Sequence, residues 1–295
     1  MNKDLGTLSG TLLIFGGPYS NLAALKAMRA QAEQSGIPPG NIICTGDIVA
    51  YCAEPQQTID LIRDWGVHIV QGNCEESLAN DRDDCGCGFG ENSACDLASK
   101  EWFSYARKHV SAEAKQWMAT LPERMYFNYE GRRYCCIHGG LEEQNQFVFQ
   151  STEESEKLRQ LKAADADVMI AGHCGLPFGQ QLEDNKYWLN AGVIGMPAHD
   201  GQPNTWYMLL GVNAENSEAH LKLRSADATS TCRASWHALH YDYQSSIKSM
   251  HAAQLCPGYS AALASGLWPN DDILPAQERK KSTRIPPSLI NPKNR

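Results

Sequence analysis

Apolar residues come in short bursts along this chain, and each burst runs into glycine and a polar side chain. Leu12-Leu13-Ile14-Phe15 precedes Gly16-Gly17-Pro18-Tyr19-Ser20-Asn21, and Ile42-Ile43-Cys44-Thr45 precedes Gly46-Asp47. Val67-His68-Ile69-Val70 leads to Gly72-Asn73-Cys74-Glu75. Tyr134-Cys135-Cys136-Ile137 leads to His138-Gly139-Gly140, and Val168-Met169-Ile170-Ala171 to Gly172-His173-Cys174-Gly175. Such runs read as buried strands. The glycine lets the backbone turn, so that the next polar side chain stands at the carboxyl edge of the sheet. Open α/β sheets bind their ligands at that edge.

Between these strands the apolar period changes to that of a helix. Asn21 is placed to cap a helix through about Ser35, with Leu22, Leu25, Met28 and Ala32 on one face. Pro55 opens a second helix through about Trp65, burying Ile59, Leu61 and Ile62. This alternation predicts parallel strands joined by right-handed crossovers. An acidic, glycine-rich insertion at about 80–95 breaks the rhythm. Helical patterning returns over 94–105, 112–121 and 153–163, and residues 125–129 with 132–137 read as a hairpin turning at Glu130-Gly131. Segments 187–190, 205–212, 221–224 and 234–243 read as strands of a second sheet. That sheet would bury Trp188, Trp206 and Trp236 and hold His237 and His240 as structural residues. Helices over 245–254 and 259–264 would close a domain of residues 1–268. From Pro269 the proline and charge content predicts a poorly packed tail, 269–295.

Length and charge narrow the function. A chain of 295 residues can bury a substantial core. Its formal charge of −8 argues against a nucleic-acid backbone or an anionic membrane as the main partner. The apolar stretch at Leu12–Phe15 is too short for a secretory core or a membrane span, so the chain is expected in the cytoplasm. Eleven cysteines in a reducing compartment read as thiols or metal ligands rather than a disulfide framework.

The order and spacing of the strand-end motifs, together with Asn190-Ala191-Gly192, resemble the calcineurin-like metallophosphoesterase superfamily, and are most similar to its small single-domain bacterial phosphodiesterases. The resemblance covers about residues 10–265. It implies an α/β fold, a four-layer α/β/β/α sandwich of two packed mixed sheets flanked by helices. It also implies a centre of two metals sharing one aspartate. The shared aspartate matches Asp47, and the other ligands of the second metal match Asn73, His138 and His173. Oxygen and imidazole donors suit Mn, Zn or Fe. The first metal's own ligands are missing: Gly17, Tyr19 and Gly175 stand where the family carries aspartate and two histidines. The expectation is therefore one divalent transition metal at the retained half, with Asp47, Cys74 and His138 as catalytic positions. Cys74 replaces a family histidine that assists the leaving group.

Cysteines cluster where ligands vanish. Cys52, Cys74, Cys85, Cys87 and Cys174 are candidate thiolate ligands, with Cys95 further along the insertion; ordinary packing is the alternative for each. Cys44, Cys135 and Cys136 lie within strands and read as core, and Cys232 and Cys256 carry no functional signal. Tyr19 either binds a metal as phenolate or fills vacated space. Glu75 and Glu76 are either carboxylates near the metal or exposed first-turn helix acids. His199 and Asp200 are loop residues that would line the cleft at most in passing. Three functions stay open: a metal-dependent phosphoesterase acting on a small phosphorylated substrate, a non-hydrolytic metal- or phospholigand-binding protein, and a thiol or metal redox enzyme.

Overall fold

The computed structural model describes residues 1–89, 94–211, 220–224, 231–279 and 289–290. In chain order, β1 (Asn2–Thr7) and β2 (Leu12–Phe15) precede α1 (Leu22–Gln34), β3 (Ile42–Cys44), α2 (Pro55–Trp65) and β4 (His68–Ile69). Three helices follow, α3 (Asn73–Ala79), α4 (Ala94–His109) and α5 (Ala112–Met118), before the hairpin β5 (Arg124–Tyr129) and β6 (Arg132–Ile137). Then come α6 (Glu154–Ala163), β7 (Val168–Ala171), β8 (Phe178–Gln181), β9 (Tyr187–Asn190), β10 (Thr205–Gly211), β11 (His220–Arg224) and β12 (Thr231–Leu239). The chain closes with α7 (Tyr243–Ala252), α8 (Pro257–Ser265), α9 (Ala276–Arg279) and β13 (Leu289–Ile290).

Two mixed sheets form. One runs β1-β5-β6-β7-β9-β8-β13 and the other β11-β12-β10-β2-β3-β4. The alternation of side chains along each strand explains the layers. Leu12 and Ile14 join Ile43, Phe127, Tyr134, Cys136, Ile170 and Leu189 in the core between the sheets. Their neighbours Leu13, Phe15, Ile42 and Cys44 face the other way, against Leu25, Met28, Ile59 and Ile62 of α1 and α2. On the opposite sheet Cys135, Ile137, Met169 and Trp188 face outward to Leu161 of α6. The result is a four-layer α/β/β/α sandwich. No helix among the described residues is long and apolar enough to cross a membrane.

The division of strands between sheets differs from the sequence reading. Residues 187–190 do not pair with 205–211. They lie parallel to β7, with Ile170 beside Leu189, while β10 pairs antiparallel with β2, Met208 opposite Ile14. Trp188 and Trp236 are buried in different sheets, and Trp206 is only partly buried, its indole N–H donating to Asp200. Apolar patterning marks a strand as buried without naming its neighbour. The last long strand ends at Leu239, so His240 lies beyond it, exposed, whereas His237 stacks on Tyr207. β1 and β8 carry too little apolar pattern to stand out: β1 is mostly exposed and pairs along one edge with β5.

The expected loose tail is also corrected. Leu274 and Glu278 are buried, and Glu278 accepts a hydrogen bond of 2.7 Å from the Ser151 amide. Residues 269–279 therefore return to the body; 280–288 and 291–295 lie outside the described residues.

At one end the two sheets are stitched together. Gly16 bridges to Val193: its amide donates to the Gly192 carbonyl at 3.0 Å, and its own carbonyl accepts from Ile194 at 3.0 Å. Both sheets thus present the carboxyl ends of β2, β3, β4, β6, β7 and β9 to one crevice.

Candidate metal centre

Gly46 sets the geometry of the crevice. Its φ is +95°, and a side chain there would begin 2.9 Å from the His138 ring and 2.7 Å from the Gly72 amide. Only glycine lets the β3 loop pass so close to its neighbours. Asp47 and His173 follow their own turns with φ of 55° and 56°, a region costly for residues with a side chain. Each is held there by named partners.

Glu75 holds Asp47. Its carboxylate accepts from the amides of Asp47 at 2.8 Å, Gly72 at 2.9 Å and Val49 at 3.2 Å. Glu75 is wholly buried, which corrects its reading as an exposed helix acid; Glu76 is the more exposed of the two and pairs with Arg82. Burial, followed by the nearby Asp47 charge, raises the Glu75 carboxyl to about 7. Asn190 holds the His173 loop, its amide nitrogen donating to the Gly172 carbonyl at 2.8 Å and to Cys174 Sγ at 3.2 Å.

Four side chains meet at one atom. His138 Nδ1 lies 2.6 Å from the Thr45 carbonyl, which can only accept, so Nδ1 carries the proton. Nε2 then faces Asn73 Oδ1 at 3.0 Å, His173 Nδ1 at 3.1 Å and Asp47 Oδ2 at 3.2 Å. Asn73 is oriented by its own amide nitrogen, which donates to the Cys85 carbonyl at 2.9 Å and leaves Oδ1 inward. The ligating atoms of Asp47, His138 and His173 lie within 4.8 Å of one another, and all three residues are buried.

So many electron-rich atoms facing one point suit a cation placed among them. A proton on Nε2 satisfies the demand in part. A divalent metal ion uses every donor, and the set of one carboxylate, one amide oxygen and two imidazoles fits such an ion. The electrostatics agree. Burial opposes a charge on His138, but Asp47 pushes its pKa up. Burial likewise opposes ionisation of Asp47, and the two imidazoles more than offset it, holding the carboxyl below its ordinary value. Burial and then the His138 charge push His173 down to about 3, which keeps the imidazole neutral with one ring nitrogen free to coordinate. Among the described residues His173 Nε2 is buried without a hydrogen-bond partner.

Around Gly17 and Gly175 the described residues offer no carboxylate or imidazole in place of the missing ligands. A side chain begun at Gly17 would meet the Tyr19 ring at 2.5 Å and Val193 at 2.9 Å. One begun at Gly175 would meet Trp268 at 3.3 Å. The ring of Tyr19 fills the space beside Gly17, and burial together with Asp47 raises its pKa far above the usual range, so it stands as a phenol rather than a phenolate.

The cysteines divide. Cys85 and Cys87 are joined to each other in a disulfide, which corrects their reading as free thiolate ligands. Cys74 is buried with its amide 3.4 Å from Asp47 Oδ1, and burial and the Asp47 charge raise its thiol pKa well above the usual value. Cys174 touches Asn190 and the Leu176 carbonyl, and burial raises it to about 12. Cys52 is buried and does not line the crevice; Glu54 is the charge that acts on it. The side chain of Cys95 lies outside the described residues. His199 sits one layer back, accepting from the Trp268 amide at 2.8 Å.

Sequence reading named Glu75 without choosing between a carboxylate near the metal and an exposed helix acid, and missed what it does: from the third position of a helix opened by Gly72 it reaches back to the preceding amides. It also missed Tyr51, Phe147, Tyr259 and Trp268, which line the cleft beside Asp47 and His173. These come from separate stretches of the chain without a shared pattern.

The fold occurs in known proteins. The sequence is 26% identical over 196 residues to an uncharacterised protein of Methanocaldococcus jannaschii, spanning 61% of this chain and 74% of that one. The fold superimposes on a metallophosphoesterase from Sphaerobacter thermophilus with a TM-score of 0.63 at 19% identity, over 88% of this chain and 100% of that one. A hypothetical protein of Pyrococcus horikoshii gives the same TM-score at 14% identity, over 88% and 99%. Residues 20–215, more than half of the chain, match the calcineurin-like phosphoesterase superfamily domain, and the chain belongs to that superfamily.

Proposed function

We propose that this protein is a divergent phosphoesterase that hydrolyses a phosphate mono- or diester at a single divalent transition metal, Mn, Zn or Fe, held by Asp47, Asn73, His138 and His173. The observation that carries this reading is the convergence of Asn73 Oδ1, Asp47 Oδ2 and His173 Nδ1 on His138 Nε2 within 3.2 Å. When bound, such an ion supplies Lewis-acid polarisation of a phosphoryl oxygen and a nucleophilic hydroxide near neutral pH.

The chain's own residues account for the rest. Glu75 fixes the Asp47 turn, the Thr45 carbonyl fixes the His138 tautomer, and Asn190 fixes the His173 loop. In hydrolysis an oxygen from water bonds to phosphorus, the ester P–O bond breaks and the leaving oxygen takes a proton. Cys74 is a poor source of that proton, since a buried thiol beside two carboxylates holds on to it. Generic diester hydrolysis is therefore expected to fall well below an ordinary turnover of about 10 per second. A small phosphorylated substrate, with neither nucleic acid nor membrane as partner and with the protein working in the cytoplasm, agrees with the charge of −8.

The Cys74 substitution also favours a second reading, a metal-bound protein that binds a phosphorylated ligand without cleaving it. Turnover of bis(p-nitrophenyl) phosphate by wild type and Asp47→Ala, each with and without added Mn²⁺, separates the two. Slow, Mn²⁺-dependent release of p-nitrophenol that Asp47→Ala abolishes supports hydrolysis. Phosphonate binding without any release supports the second reading.

A further inference from the structure

The half of the crevice that lacks donors is lined with rings. Asp47 and His173 border a cleft whose wall includes Tyr19, Tyr51, Phe147, Tyr259, Trp268 and Ile273. Tyr51 packs against Tyr259 with centroids 4.4 Å apart, and Tyr19 meets Tyr51 edge-on at 4.8 Å. Phe147 lies 4.3 Å from the His173 ring and stacks on Phe149 at 5.9 Å. Trp268 is fixed by its indole N–H, which donates to the Pro197 carbonyl at 2.7 Å. Tyr51, Phe147 and Trp268 are only partly buried.

We infer that this cleft seats one planar aromatic ester arm of the substrate, which makes the substrate an aryl phosphodiester. The inference rests on the phosphoesterase reading above and deepens it. Two observations support the choice. Among the described lining residues there is no lysine or arginine, and Asp47 is the fixed charge. A phosphomonoester dianion or a polyphosphate calls for such cations, whereas a diester carries a single negative charge that the metal half of the site can meet. The rings also hold one another in a fixed arrangement continuous with Asp47 and His173. They offer faces and edges against which a flat ring stacks better than an alkyl chain does.

The test holds the leaving group constant and varies the arm. Mn²⁺-loaded protein is given phenyl, ethyl and unesterified forms of p-nitrophenyl phosphate, and binding of phenyl and ethyl methylphosphonate is followed by calorimetry. The phenyl arm is expected to exceed the ethyl arm by about 30-fold in kcat/KM and in affinity, with the monoester weakest. Tyr51→Leu and Trp268→Leu should each reduce the phenyl-to-ethyl affinity ratio to about 3-fold with bound manganese unchanged. Equal affinity for the two phosphonates overturns the inference, whatever the turnover. Loss of manganese binding in wild type, by contrast, overturns the phosphoesterase reading itself.

Discussion

The two halves of the crevice adjoin each other yet are opposite in chemistry. On one side Asp47, Asn73, His138 and His173 bring electron-rich atoms into contact, each fixed by a buried partner. On the other, Gly17 and Gly175 face Tyr19, Val193 and Trp268, and side-chain space is filled by carbon. The difference is sharp because the backbone is shared. The Tyr19 amide donates to the Asp47 carbonyl at 3.1 Å, so a residue of the apolar half is tied directly to a donor of the polar half. One half can lose its ligands while the other keeps its geometry, provided something else occupies the volume.

Breaking the polar half should have the largest effect. Asp47→Ala removes a donor and the charge that stabilises His138, and bound metal is expected to fall below roughly 0.1 ion per chain after dialysis. Elemental analysis reads this directly. Glu75→Ala comes next. It leaves three buried amides without their acceptor, so denaturant unfolding should show a loss of about 3–5 kcal/mol and metal affinity a drop of about 10- to 100-fold. Glu75→Gln keeps the volume and part of the bonding, and should recover much of the stability.

The apolar half is tested by restoring a donor. Gly17→Asp places a side chain 2.5 Å from the Tyr19 ring at a φ of +32°, and should cost about 1–3 kcal/mol without adding a metal ion. Adding Tyr19→Ala should recover part of that loss, since the two positions touch. If Gly17→Asp is neutral and raises the metal content, the two halves are less distinct than described.

Two smaller effects sharpen the boundary. Cys85→Ser with Cys87→Ser opens a bridge between residues only 2 apart in sequence, so stability should fall by no more than about 1–2 kcal/mol and metal content should stay the same. The least effect is expected from Glu156, which Arg159 in the first place pulls down to about 2. A carboxyl depressed in the folded state contributes stability above its unfolded pKa, and that contribution is lost as pH falls toward 2. Because Glu156 and Arg159 are solvent-accessible, the loss should stay below about 1 kcal/mol, read as the difference between wild type and Glu156→Gln in acid titrations of thermal unfolding.

Much of the fold was legible in the sequence because the strands that end at the crevice are short, mostly apolar runs with a glycine turn beside them. The donors were legible for the same reason: Asp47, Asn73, His138 and His173 each stand just past such a strand. What escaped was long-range. Strand 187–190 has the same apolar content whichever sheet it joins. Ile273 reaches the cleft from a segment whose proline and charge suggested looseness, and Trp268 from just before it. Glu75 shares its local pattern with any first-turn acid, and only the folded chain reveals that three amides from two loops surround it.

The central claim is that one half of the crevice holds an ion and the other does not. Native mass spectrometry of the intact chain, saturated with Mn²⁺ and then desalted, counts ions directly. The account predicts one manganese per chain in wild type and none in Asp47→Ala. Two ions in wild type, or none, would contradict it.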